Sequence, residues 1–354
     1  MHSAPAAAAL RPAAAPATRS VAMWLFLSAA MVFAAAVIGA ITRLTESGLS
    51  IVEWAPITGT LPPLSDQAWA DAFTAYKATP QYRYMNAGMS LEAFQQIFFW
   101  EWLHRFWDRL TGLVFAAGLV WFALRREVGW TLGSRLFGLL VLGGAQGVLG
   151  WMMVASGLNE RPSVSHYLLA AHLGLAVLLY ALILWAAYGL VLRRLGDFAS
   201  APSLRRHASI AIACIAVTMC WGAFVAGLDA GQVYNTFPLM DGRLLPPEAF
   251  SIIPAWLNVF DNTALVQFIH RWLAIGTSLV VLALAFRCSR TPVVGWGHLA
   301  GLMVVVQVCL GISTLLTQVP VWLGAMHQAG ALLLLALLLA LRFVARPVSE
   351  SRLR

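Results

Sequence analysis

The residue types able to do chemistry in this 354-residue chain are few and regularly placed. His104 and His270 each open a long apolar run, and each is followed by an arginine, Arg105 and Arg271. His172 and His327 lie about two turns into two further apolar runs. Their surroundings repeat: EWLHRFWDRLTGLV from Glu101 aligns with QFIHRWLAIGTSLV from Gln267, QGVLG from Gln146 with QVCLG from Gln307, and AAHLG around His172 with AMHQAG around His327. Neutral imidazoles facing each other across a helix bundle can ligate a haem iron from both sides. A lone intramembrane histidine reads more simply as a hydrogen-bonded core residue or a proton relay. Duplication of the whole set in register favours two haem sites, one on His104 and His172 and one on His270 and His327.

The halves differ where it matters for reactivity. Glu101 precedes His104 by three residues on one helical face, whereas Gln267 holds the equivalent place before His270. A carboxylate can take up and release protons, and its amide analogue cannot. The first site is therefore the candidate for chemistry and the second for a permanently bound haem. Asp108, one turn past His104, has Ala274 as its counterpart and reads as an ion-pair partner of Arg105 or Arg109. Arg105, Arg271, Arg43 and Arg109 are candidate contacts for haem propionates, since guanidinium binds carboxylate in bidentate fashion; the plainer reading is snorkelling to the headgroups. Gln146 and Gln307 could hydrogen-bond across the bundle with no chemistry implied. His2, His166, His207 and His298 carry no such pattern.

These residues need membrane helices to position them. Apolar residues make up 60% of the chain and charged ones 11%, against about 25% charged in ordinary soluble domains. The expected fold is an all-α integral membrane protein with spans near 21–42, 100–124, 132–156, 165–192, 208–228, 263–286, 293–317 and 320–342, each near the ~20 residues needed to cross. The repeats make it two tandem, pseudo-symmetric four-helix bundles in parallel orientation. The first is 21–195 with a long outer loop at 43–99, carrying the site that is the candidate for chemistry. The second is 208–342, holding the permanently bound haem. Residues 1–20 and 343–354 read as cytoplasmic tails, the first disordered. Most arginines fall on the side of the termini, so the termini are placed in the cytoplasm and the histidines toward the outer face. The net charge of +8 thus reports topology and not a nucleic-acid surface. Aromatic and polar residues alternate in the first outer loop, which predicts short interfacial helices. Cys214, Cys220, Cys288 and Cys309 form no disulfide or zinc pattern and read as buried thiols.

ITRLTESGLSIVEWAPITGTLPP in the first outer loop, FFWEWLHR at the second span and the paired histidines resemble the haem A synthases, in the branch shared by alphaproteobacteria and mitochondria. The resemblance runs from about residue 22 to 344. It implies oxidation of the C8 methyl group of haem O to a formyl group, giving haem A for cytochrome c oxidase. By motif it implies that His104 and His172 flank the substrate haem, that Glu101 is the essential carboxylate, and that His270 and His327 ligate haem b. It further implies a bacterial inner-membrane location, haem O synthase as substrate donor and cytochrome c oxidase assembly factors as partners, with assembly of further copies left open. Another branch has a cysteine pair in the first outer loop, which this chain lacks. A bis-histidine cytochrome b subunit for electron transfer is the alternative, but it needs no special carboxylate. A duplicated transporter would place its polar residues near the midplane.

Overall fold

The computed structural model describes residues 16–55, 58–158, 162–192 and 201–345. Of the tails expected at 1–20 and 343–354, residues 1–15 and 346–354 lie outside the described residues, whereas 16–20, expected to be disordered, are helical and open the first span, and 343–344 belong to the last helix. Eight helices are long and apolar enough to cross a membrane, and no strand occurs among the described residues. They are numbered here α1 (Pro16–Leu44), α2 (Leu91–Leu124), α3 (Trp130–Leu158), α4 (His166–Val191), α5 (Ala201–Gly227), α6 (Thr263–Cys288), α7 (Val294–Leu316) and α8 (Val321–Val344). The chain is a multi-pass membrane protein. In a hydrocarbon core only helices and closed barrels satisfy every backbone polar group internally, and this sequence takes the first solution eight times.

The helices close into two rings. α1 packs on α2 and α4, and α3 on α2 and α4; in the same pattern α5 packs on α6 and α8, and α7 on α6 and α8. The rings meet where α1 and α4 pack against α5 and α8. This seam holds much of the main apolar core, including Leu25, Ile183, Ala187, Leu204, Ala208, Leu335 and Leu338. Polar links cross it as well: Arg43 pairs with Asp229 at 2.8 Å, His166 Nε2 lies 2.8 Å from Asp261, and Gln328 donates to the Ala36 carbonyl at 2.6 Å. Within the first ring, Trp107 Nε1 donates to Met31 O at 2.9 Å and Trp24 Nε1 to Val114 O at 3.2 Å, fixing α1 against α2.

Several boundaries differ from the sequence reading. The first outer loop ends at Ser90, because the Ser90 hydroxyl accepts from Ala93 N–H and starts α2 there. At 34 residues α2 is about 51 Å long, well over the ~30 Å of a hydrocarbon core. Its first turns stand outside the bilayer and carry Phe94 and Phe98, on which the loop builds its own small core with Phe73 and Tyr76. The expected interfacial helices are there, at Asp66–Lys77 and Pro80–Tyr84. Tyr76 is fully buried, accepts from Asn86 and donates to Gln81, and burial raises its phenol pKa above the ordinary value. α5 starts at Ala201, so Arg205 and Arg206 are helical. Only Cys288 of the four free cysteines is buried, and Cys309 is exposed. Cys309 lies on an outward face of α7, where an apolar solvent takes the place of protein packing.

Small residues set the closest approaches. A Cβ at Gly118 of α2 would overlap the Trp24 indole of α1, whereas one at Gly112 meets nothing within 4 Å. Gly118→Ala should therefore destabilise the protein by about 1–3 kcal/mol through overpacking. A thermal melt of the purified protein should show a lowered midpoint for this variant and an unchanged one for Gly112→Ala.

Candidate functional site

Each of the four repeated histidines rests against a glycine of a neighbouring helix. A Cβ at Gly39 of α1 would come within 3.0 Å of the His104 ring, and one at Gly222 of α5 within 3.2 Å of His270. Likewise Gly150 of α3 would approach His172 to 3.0 Å and Gly311 of α7 would approach His327 to 2.8 Å. Glycine costs a helix about 0.5–1 kcal/mol relative to alanine, and here its missing side chain makes room for the rings. The sequence reading passed over Gly39 and Gly222. Their signal was the Gly-Ala pair at 39–40 and again at 222–223.

The two glutamines orient the second histidine of each pair. Gln146 Nε2 donates to His172 O at 3.0 Å and lies 3.3 Å from its Nε2. Gln307 Nε2 donates to His327 O at 2.8 Å and lies 3.1 Å from its Nδ1. The second contact engages His327 at Nδ1, whereas the first engages His172 at Nε2. The His270 and His327 ring centres are 6.5 Å apart with planes at 84°. Two imidazoles bound to one metal, at about 2.0–2.1 Å per bond with roughly 1.1 Å from nitrogen to ring centre, would have centres about 6.3 Å apart. The spacing therefore fits a shared iron. His104 and His172 are also close enough to interact electrostatically. His172 Nδ1 is buried without a hydrogen bond, and His270 Nδ1 approaches the Thr218 backbone without standard hydrogen-bond geometry.

The arginine after each first histidine holds the outer loop. Arg105 reaches back one turn to Glu101 at 2.5 Å and donates to Ile51 O at 3.0 Å and Glu53 O at 3.4 Å. Arg271 reaches back to Gln267 Oε1 at 3.2 Å and donates to Tyr234 O at 2.8 Å and Thr236 O at 2.7 Å. Arg109 Nη2 donates to Ala55 O at 3.2 Å. All four arginines considered for propionates thus have protein partners, Arg43 through Asp229. Arg43 Nε and Arg271 Nε remain buried donors without an acceptor.

Glu101 and Gln267 occupy equivalent places with opposite surroundings. Glu101 is 2% exposed, and its Oε2 accepts from the Ser50 hydroxyl at 2.7 Å and Ile51 N–H at 2.7 Å. Gln267 instead donates to Ala230 O at 2.8 Å and Tyr234 O at 3.1 Å. The loop offers donors to the carboxylate and acceptors to the amide, so each pocket suits only the residue it has. Of the two partners expected for Asp108, Arg105 pairs with Glu101 instead, Arg109 stays in electrostatic reach, and the Asp108 carboxylate sits 3.5 Å from His104 Nε2. The 3.6-residue period brings position 108 over 104, while 105 turns toward the loop. Outside the repeated set, His166 binds Asp261, and His207 Nε2 lies 3.1 Å from Val280 O.

The architecture and site define a helical membrane protein with two internal histidine pairs, each tied by an arginine to the loop that precedes its helix. A family profile, the COX15-CtaA cytochrome oxidase assembly proteins, matches residues 22–339. The chain belongs to that family. It is 52% identical to a heme A synthase of Rhodospirillum centenum, over 98% of this chain and 94% of the relative. It is 46% identical to heme A synthases of Nitrosospira multiformis, over 89% and 90%, and Parvibaculum lavamentivorans, over 88% and 90%.

Removing the arginine should expose how much the loop depends on it. Arg105→Ala leaves the buried Glu101 charge unpaired and should cost about 3–5 kcal/mol. Adding Glu101→Gln removes the stranded charge and should recover part of the loss. Thermal midpoints together with limited proteolysis of the 45–90 segment check both outcomes.

Proposed function

We infer that the protein is a haem A synthase, an oxidoreductase that converts the C8 methyl group of haem O to the formyl group of haem A for cytochrome c oxidase. The observation that carries this reading is the paired asymmetry inside a repeated site. Both halves present two histidines, a glutamine and an arginine clamp, but only the first holds a carboxylate next to its histidine. A cytochrome b subunit for electron transfer would need no such difference.

The chain divides into two four-helix units, one for each histidine pair. In the first, His104 and His172 flank haem O, with Gly39 and Gly150 keeping space beside their rings. Oxidising a methyl carbon releases protons and electrons, and a group must stand ready to accept protons near the reacting edge. Glu101 has that role. The Ser50 hydroxyl and Ile51 N–H donate hydrogen bonds that fix the position of its carboxylate, and Arg105 balances its charge. Asp108, beside His104 and absent from the second unit, adds a second carboxylate to the substrate side. In the second unit His270 and His327 hold haem b, which supplies a one-electron redox centre when bound. Gln267 keeps that site free of a titrating carboxylate. The unsatisfied Nε donors of Arg43 and Arg271 suit haem propionates.

The protein sits in the bacterial inner membrane with both termini cytoplasmic and the haem sites toward the periplasm. The excess of arginine on the termini side supports this orientation. Haem O comes from its synthase, and the product goes to oxidase assembly.

Glu101→Gln tests the catalytic assignment. Haems extracted from the purified variant and separated by chromatography should show haem O and partly oxidised haem with little haem A, while haem b is retained. Normal haem A content would sink the role of Glu101. The second site is tested by absorption spectra: His270→Ala should lose the haem b bands, and Gly311→Ala, which crowds His327, should weaken or shift them. Gly276→Ala meets nothing within 4 Å and should leave them unchanged.

A further inference from the structure

At the end of the molecule opposite the outer loops, the first turns of α5 and the last turn of α6 frame a cavity of about 520 Å³ lined by Pro202, Ser203, Arg206, His207, Ile210 and Arg287. Arg287 is held in place there. Its Nη2 donates to Ser203 Oγ at 2.7 Å, and its Nη1 lies 3.0 Å from His207 Nδ1. A guanidinium can only donate, so His207 Nδ1 accepts, and the Nε2 proton goes to Val280 O at 3.1 Å. Two of the five guanidinium donors are thus used for orientation, and the others are open to a ligand. Arg206 adds a second, exposed guanidinium.

Neither arginine forms an ion pair among the described residues, whereas Arg125, in the turn between α2 and α3, pairs with Glu127 at 2.9 Å. Two cations around a cavity, with one oriented by neutral partners, form an anion site in search of its anion. Its apolar continuation says what kind. Arg206, Ile210 and Val217 share one face of α5, with Ile210 and Val217 both largely exposed, and α6 exposes Leu282 and Phe286 near the same end. The guanidiniums stand at the ends of two helices long and apolar enough to cross a membrane, and the apolar stripe continues along them, as an acyl chain continues from its headgroup.

We propose that this cavity binds an anionic phospholipid, with Arg287 and Arg206 on the headgroup phosphate and the acyl chain along Ile210 and Val217. The site is remote from the histidine pairs and does not depend on the assignment of their haems. It ties a specific lipid to the α5 and α6 ends of the second ring.

Native mass spectrometry of the full-length protein in detergent tests it, with phosphatidylglycerol or phosphatidylcholine added. Wild type should keep one more phosphatidylglycerol than an Arg206→Gln, Arg287→Gln double variant, with binding at least about tenfold weaker in the variant. Arg125→Gln, whose arginine already has a carboxylate partner, should behave as wild type. Arg206→Gln alone alters only an exposed side chain and should show a partial loss, which gives a reading even if the double variant does not fold. Equal lipid retention in wild type and the Arg206 variant, or equal binding of phosphatidylcholine, overturns the proposal. So does loss of bound phosphatidylglycerol to millimolar inorganic phosphate, which would mark a site for free phosphate.

Discussion

A guanidinium placed one residue after a histidine presses the outer loop of each half onto the helix that carries that histidine. Arg105 and Arg271 both reach back one turn to residue 101 or 267, and both use their remaining donors on loop carbonyls. The histidine lies between the two members of this i, i+4 pair, so its height and rotation follow the clamp. Loop carbonyls away from water need donors, and a charged donor makes the stronger bond. Charge buried here is tolerated because most of the clamp's donors and acceptors have partners, the Arg271 Nε being the exception.

The clamp explains why the loops and the α2 extension are built as they are. Ser50 and Ile51 reach Glu101 only because the loop is folded over α2, with Tyr76, Phe73, Phe94 and Phe98 as its core. Gln81 ties that core to the end of α1 by donating to Glu46 O at 2.9 Å. Beneath it, glycines let the rings close. Four imidazoles lie against four glycines, and Gly118 lets Trp24 lie across α2. Tight packing by small residues is the usual means of helix association in lipid, where no hydrophobic force draws helices together.

The two halves share a repeated framework and differ at a few positions inside it. Exchange of glutamate for glutamine is a small change in shape and a large one in hydrogen bonding. The first loop turns a hydroxyl and an amide N–H toward position 101, and the second turns two carbonyls toward position 267. The loops diverged together with the side chains they meet, so neither pocket would accept the other residue without leaving a buried group unpaired.

Much of this was legible in the sequence. Apolar run lengths gave the eight spans, because a hydrocarbon core sets a minimum helix length. Internal repeats gave the four histidines, the arginines and the Glu101/Gln267 difference, because chemical identity at a repeated position is visible without coordinates. The start of α2 at Leu91 was missed because its first turns alternate polar residues with the phenylalanines that the loop covers, a pattern to which run-length hydropathy gives no signal. The surroundings of Asp108 were read in part: sequence distance put Arg105 and Arg109 beside it, Arg109 does interact with it, but helix rotation gave Arg105 to Glu101 and brought Asp108 to His104. The glycines beneath the rings, the donors around Glu101 and the oriented Arg287 all depend on contacts between segments far apart in the chain. The sequence by itself determined which residues could act and how many times they cross the membrane, since both follow from local composition and period. Only the tertiary structure decided which groups meet, because those contacts form only when separate helices and loops pack together.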